Sequence, residues 1–116
     1  MNKALIHKHE FMEERQIPCY ALLSVQRALL GVITPNIRHI SMEWVGFESA
    51  RLRVYYDSPP TDEEVEEMDS VGGQVLADVP FHWMEELDVR VTTAPMDKLE
   101  SLARPVYYRK EPIKGN

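Results

Sequence analysis

Residues 20–33, YALLSVQRALLGVI, carry apolar side chains around well over half of a helical circumference. Tyr20, Ser24, Arg27 and Gly31 leave only a narrow polar stripe. A helix that is apolar nearly all round is a buried one. This helix is therefore expected at the centre of the core, with Leu22, Val25 and Leu29 almost fully buried. Gln26 lies inside the apolar arc, and its amide is expected to bond to backbone. Thr34-Pro35-Asn36 end the helix, because the residue before proline leaves the helical region.

The period then changes from helical to two. In residues 37–45, Ile40, Met42 and Trp44 alternate with His39, Ser41 and Glu43. In residues 50–57, Leu52, Val54 and Tyr56 alternate with Arg51, Arg53 and Tyr55. Two half-buried strands joined by Gly46-Phe47-Glu48-Ser49 predict an antiparallel hairpin. Ser58-Pro59-Pro60 breaks the chain, and Thr61 with Glu64 makes a capping box that opens a second helix. Its stripe is Val65, Met68, Val71, Val75, Leu76 and Val79. Gly72 and Gly73 interrupt this helix at a cost in stability, so a close backbone approach is expected there. Pro80 ends it. Residues 83–93 predict a third strand, and Val106 to Arg109 a short fourth.

The resulting order is αββαββ. The economical packing is an α+β domain with two helices on one face of a mostly antiparallel four-stranded sheet. One domain is expected over residues 1–116, with a peripheral arm at 1–18 and a core at 20–111. Pro18 interrupts the weak helical pattern of that arm. Hydrophobic content of 44% supports a core without disulfides, and Cys19 is the only cysteine. No apolar run reaches membrane-spanning length, and the first sixteen residues are too charged for a signal peptide. A cytoplasmic protein is expected.

Candidate chemistry is sparse. His7, His9, His39 and His82 have no metal-ligand spacing with one another or with Cys19, and HExxH, CxxC, GxSxG and GxGxxG are absent. No catalytic residue, metal or cofactor is expected. Cys19 reads as a packing residue.

Charge is the largest departure from an ordinary domain. The net charge is −6, which disfavours direct nucleic-acid binding. Between residues 57 and 88 stand 11 acids and no lysine or arginine. On the second helix Glu63, Glu66 and Glu67 share the outward face with Ser70 and Gln74. This face reads either as a solvated surface or as a docking surface for a basic partner. The candidate partner-binding residues there are Asp62, Glu63, Glu66, Glu67 and Asp69. The sheet face away from the helices is the second candidate, through Arg53 and Tyr55, with Arg51, Arg90, Tyr107 and Arg109 beside them. Arginine and tyrosine are enriched at interfaces. The same arginines equally suit cross-strand pairs with Glu43 and Asp88.

The runs ALLSVQRALLGVITPNIRHISMEW, RLRVYYD, PTDEEVEEM, VLADVP and VYYRKE together resemble small bacterial proteins grouped with the immunity proteins of contact-dependent growth inhibition systems. The resemblance covers residues 21–111. It implies a cytosolic, non-enzymatic antidote that binds a toxin's C-terminal domain and covers its active site or substrate surface. Toxins of such systems are often nucleases with basic clefts, which an acidic antidote suits. An adaptor or structural protein of the same fold, or an unrecognised enzyme, are the alternative readings.

Overall fold

The computed structural model describes residues 12–112. A 3-10 turn, Glu14–Gln16, leads into helix α1, Ile17–Ala28. Strands β1, Ile37–Val45, and β2, Ser49–Tyr56, follow, and then helix α2, Asp62–Asp78. Strands β3, Trp83–Met84, β4, Asp88–Val91, and β5, Arg104–Tyr108, complete the sheet.

The α+β class holds, with both helices on one face of the sheet. The order is αββαβββ, and the sheet has five strands. The expected third strand is split: β3 and β4 lie along the same edge of β2, separated by residues 85–87. Both run parallel to β2, whereas β1 pairs antiparallel with β2 and with β5. The parallel edge follows from α2. A helix of 17 residues returns the chain across the sheet, and that crossover makes parallel pairing possible.

Helix α1 starts earlier than the apolar pattern indicates. Pro18 does not interrupt it but occupies the first turn, where a missing N–H costs nothing. Ile17 and Met12 join the core, so the described part of the N-terminal arm is packed. The rest of the arm, with Ala4, Leu5, His7, His9 and Phe11, lies outside the described residues. The helix is not enclosed on most sides. Ala21, Val25 and Leu29 are buried and Leu22 is half-buried, but Leu23 is 52% exposed and Leu30 79% exposed. A single layer of helices covers this face of the sheet, so a helix in it keeps one face in water whatever residues stand there. Ser24, expected on the polar stripe, is buried and donates to Asp78 Oδ2 at 2.7 Å, tying α1 to α2. Gln26 does bond to backbone, donating to the Val106 carbonyl at 3.0 Å, but from an exposed position. Cys19 is exposed rather than packed.

The core lies between the helices and the sheet. Val25 and Leu29 of α1 and Met68, Val71 and Val75 of α2 meet Ile40, Met42, Leu52, Val54 and Tyr56 of the hairpin. The capping box is present: Thr61 Oγ1 accepts from the Glu64 amide at 3.1 Å, and Glu64 Oε1 accepts from the Thr61 amide at 3.1 Å. The other face of the sheet is also covered. The segment between β4 and β5 folds over it, with the Leu102 amide donating to Ser41 Oγ at 2.9 Å. Strand β1 is consequently buried on both faces from Ile37 to Met42, not half-buried.

Candidate partner-docking surface

The two surfaces singled out by charge and residue type fare differently. On the sheet, Arg53 and Tyr55 are closed in, 8% and 5% exposed. Arg53 donates from Nε to Asp88 at 2.8 Å and from Nη1 to the Glu100 carbonyl at 2.9 Å. The Tyr55 hydroxyl donates to the same carbonyl at 3.0 Å. Arg51 pairs with Glu43, so Arg51 and Arg53 both form the cross-strand pairs, and Arg90 joins Asp88 from the same strand. Tyr107 packs against the core, on the helix side, while Tyr108 lies on the other face with its ring edge-on to His39 at 4.6 Å. The irregularity in β1–β5 pairing between Ile40 and Ser41 shifts the parity that alternation assumes.

At the end of this face Arg38, only 3% exposed, forms a clasp with the chain after β5. Its Nε and Nη2 donate to the two oxygens of Glu111 at 2.9 and 2.8 Å, and Nη1 donates to the Thr92 carbonyl at 2.9 Å. Arg109 donates to Asp57 and Glu111. Hydrogen bonds from Arg38 hold the Glu111 carboxyl below its usual range, and those from Arg109 do the same for Asp57. His39 is buried with no hydrogen-bond partner for Nδ1 among the described residues, and burial, then the Arg53 charge, lowers its pKa. An open groove of about 1160 Å³ runs past Arg38, His39 and Tyr108. Of its charged groups, Arg38, Arg109 and Glu111 are already committed to the clasp.

The acidic surface sorts cleanly. Of the 11 acids between 57 and 88, four have internal work. Asp57 belongs to the clasp, Glu64 to the cap, Asp78 to Ser24, and Asp88 to Arg53 and Arg90. The Glu64 carboxyl is held low by the Thr61 amide and then the Thr34 hydroxyl. Seven remain: Asp62, Glu63, Glu66, Glu67, Asp69, Glu85 and Glu86. None of the seven has a basic partner among the described residues. All but the half-buried Glu67 are exposed. Five lie on α2. Asp69 and Glu85 line one small cleft between α2 and β3, so the sheet edge continues the helix's charge. Glu85, Glu86 and the exposed Trp83 were not singled out from sequence as site residues. The signal available for the two acids was their place in the acidic run.

Among the described residues no three histidine, cysteine, aspartate or glutamate side chains gather as a metal-ligand set, and no helix is long and apolar enough to cross a membrane.

Fold and surface together define a small α+β domain with its polar sheet face closed and one acidic helix face left free. The chain belongs to the MafI2 immunity protein family, whose sequence model matches residues 19–111. The matched span runs from the first turn of α1 to the Glu111 of the clasp. It is an immunity protein family, as the resemblance implied. No curated protein matches the chain.

Proposed function

We propose that this chain is the cytoplasmic, non-enzymatic antidote to a toxin delivered between neighbouring cells. It docks a basic surface of that toxin onto α2. The observation that carries the reading is the set of seven exposed or half-exposed carboxylates without basic partners among the described residues, five of them on one helix and two just after the neighbouring strand β3. Like charges this close repel, and Glu63 and Glu67 stand at the i,i+4 spacing where repulsion costs a helix a few tenths of a kcal/mol. A cationic partner relieves that repulsion and is steered onto the face at long range. A nuclease suits the role, because the cleft that holds its phosphate-rich substrate is basic. Covering the cleft with Asp62, Glu63, Glu66, Glu67 and Asp69 blocks substrate entry. Arg53 and Tyr55 support the fold beneath and do not touch the partner.

The test is co-expression with the toxin encoded beside the antidote gene. Wild-type protein is expected to restore growth, and a Glu63→Lys/Glu66→Lys variant, folded by circular dichroism, to restore it poorly. Full protection by that variant at equal expression contradicts the reading. Glu67 is left unchanged because it is half-buried and acts on Tyr56.

A further inference from the structure

The glycine pair of α2 opens the cleft that Asp69 and Glu85 share. Its floor is buried Leu52, Met68 and Gly72, and its walls are half-buried Leu76, Met84 and Leu87. Asp69, Gly73 and Glu85 stand exposed at the mouth. The volume is about 100 Å³. A single water needs roughly 10–15 Å³ on this measure, so several heavy atoms fit.

Packing does not require either glycine. A Cβ on Gly72 would sit 3.6 Å from Met84 Cε and 3.8 Å from Leu52 Cδ1, which is ordinary contact. A Cβ on Gly73 would meet nothing within 4 Å. Two glycines in a helix interior cost roughly 1 kcal/mol each against alanine. What they achieve together is an unfilled apolar slot with a low mouth.

We infer that this cleft is a subsite for one long cationic side chain, a lysine or arginine, of the partner. This rests on the docking reading above and names what the acidic face grips. An apolar interior rejects a buried charge, and two carboxylates at the mouth reject an anion and attract a cation. A side chain with a methylene stem and a charged tip satisfies both, with its stem against Leu76, Met84 and Leu87 and its tip at Asp69 and Glu85. A purely apolar side chain fills the slot but desolvates the carboxylates without return. Trp83 donates from its indole to Glu85 Oε1 at 2.9 Å, which orients that carboxylate at the mouth.

The probe is heptalysine, titrated into the full chain carrying methyl-labelled methionine, beside a heptamer of 2,4-diaminobutyrate at a pH where both are fully charged. The two peptides have equal charge, but the second has two fewer methylenes per side chain. Heptalysine is expected to shift the Met84 methyl resonance and to bind roughly ten-fold more tightly than the short-stemmed peptide, from the extra buried methylenes. Gly73→Met plugs the slot. It is expected to abolish the Met84 response without lowering the melting temperature, while salt-sensitive binding to the helix face persists. Equal affinity and equal Met84 shifts for the two peptides, or an undiminished response in Gly73→Met, overturn the subsite and leave the docking reading standing. No salt-sensitive binding of either peptide overturns both.

Discussion

The hydroxyl of Tyr56 is buried beneath α2 with no hydrogen-bond partner among the described residues. Burial first, and then the charges of Glu64 and Glu67, push its pKa up to about 12. An unsatisfied buried hydroxyl carries a desolvation cost of about 1–3 kcal/mol. Tyr56→Phe keeps the ring in the core and removes that cost. It is expected to raise stability by about 1 kcal/mol in urea melts. The clasp behaves in the opposite way. Glu111→Ala leaves the buried Arg38 guanidinium with only Asp57, 3.5 Å from its Nε, and the Thr92 carbonyl, and breaking a buried pair from one side costs up to about 3–5 kcal/mol, read in urea melts. Stability also depends on pH through five depressed groups, His39, Asp57, Glu64, Asp88 and Glu111. Each has a folded pKa below its unfolded value, so its contribution is present above the unfolded pKa and is lost as pH falls through the folded one. The protein is expected to lose stability first below about pH 6.5, through His39, and again below about pH 4, through the four carboxylates. His39→Phe should flatten only the first step in melts taken across pH. Residue chemistry was legible where partners are close in pattern: Glu43 with Arg51, Asp88 with Arg53 and Arg90, Thr61 with Glu64. It was not legible for Ser24, because Asp78 lies 54 residues away and a serine in a polar stripe gives no sign of being covered.

At the scale of elements, period and breakers located both helices and the hairpin, while their surroundings were hidden. Residues 20–33 are apolar nearly all round, yet Leu23 and Leu30 face water. Periodicity reports which side chains are apolar, not how many layers cover them. Strand β1 alternates as a half-exposed strand does, yet both faces are covered, because the segment before β5 lays Leu102 over its polar side, with the Leu102 amide on Ser41 Oγ. Such long-range cover leaves no local signature. The third strand broke at residues 85–87, where Glu85 and Glu86 interrupt the alternation that a continuous edge requires. The glycine pair in α2 was expected to mark a close approach, but open space surrounds Gly73. Gly73→Ala is therefore expected to stabilise the helix by about 0.5–1 kcal/mol in thermal or urea melts, since no atom opposes the added methyl. A loss of stability would show that the backbone at Gly73 cannot tolerate a side chain.

At the scale of the whole molecule, all 13 lysines and arginines lie outside residues 57–88, which hold 11 acids. Arg38, Arg53, Arg90 and Arg109 pair with Asp57 and Asp88 of that stretch, and its seven acids without a basic partner among the described residues stand on α2 and the edge beside it. This asymmetry was legible in the sequence. Which candidate surface stays open was not, because the cover over Arg53 and Tyr55 comes from the segment before β5. The central claim is that this concentrated charge captures the toxin. Rim charges act on association rate more than on dissociation, and steering weakens as the screening length falls from about 10 Å at 0.1 M salt to roughly 3 Å at 1 M. Stopped-flow association with the cognate toxin domain, at low and high salt, measures this directly for wild type and Glu63→Lys/Glu66→Lys. The wild-type rate is expected to fall steeply with salt, and the variant to associate roughly ten-fold or more slowly at low salt and to lose most of that difference at high salt. Equal rates for the two proteins, with little salt dependence in either, would contradict the account.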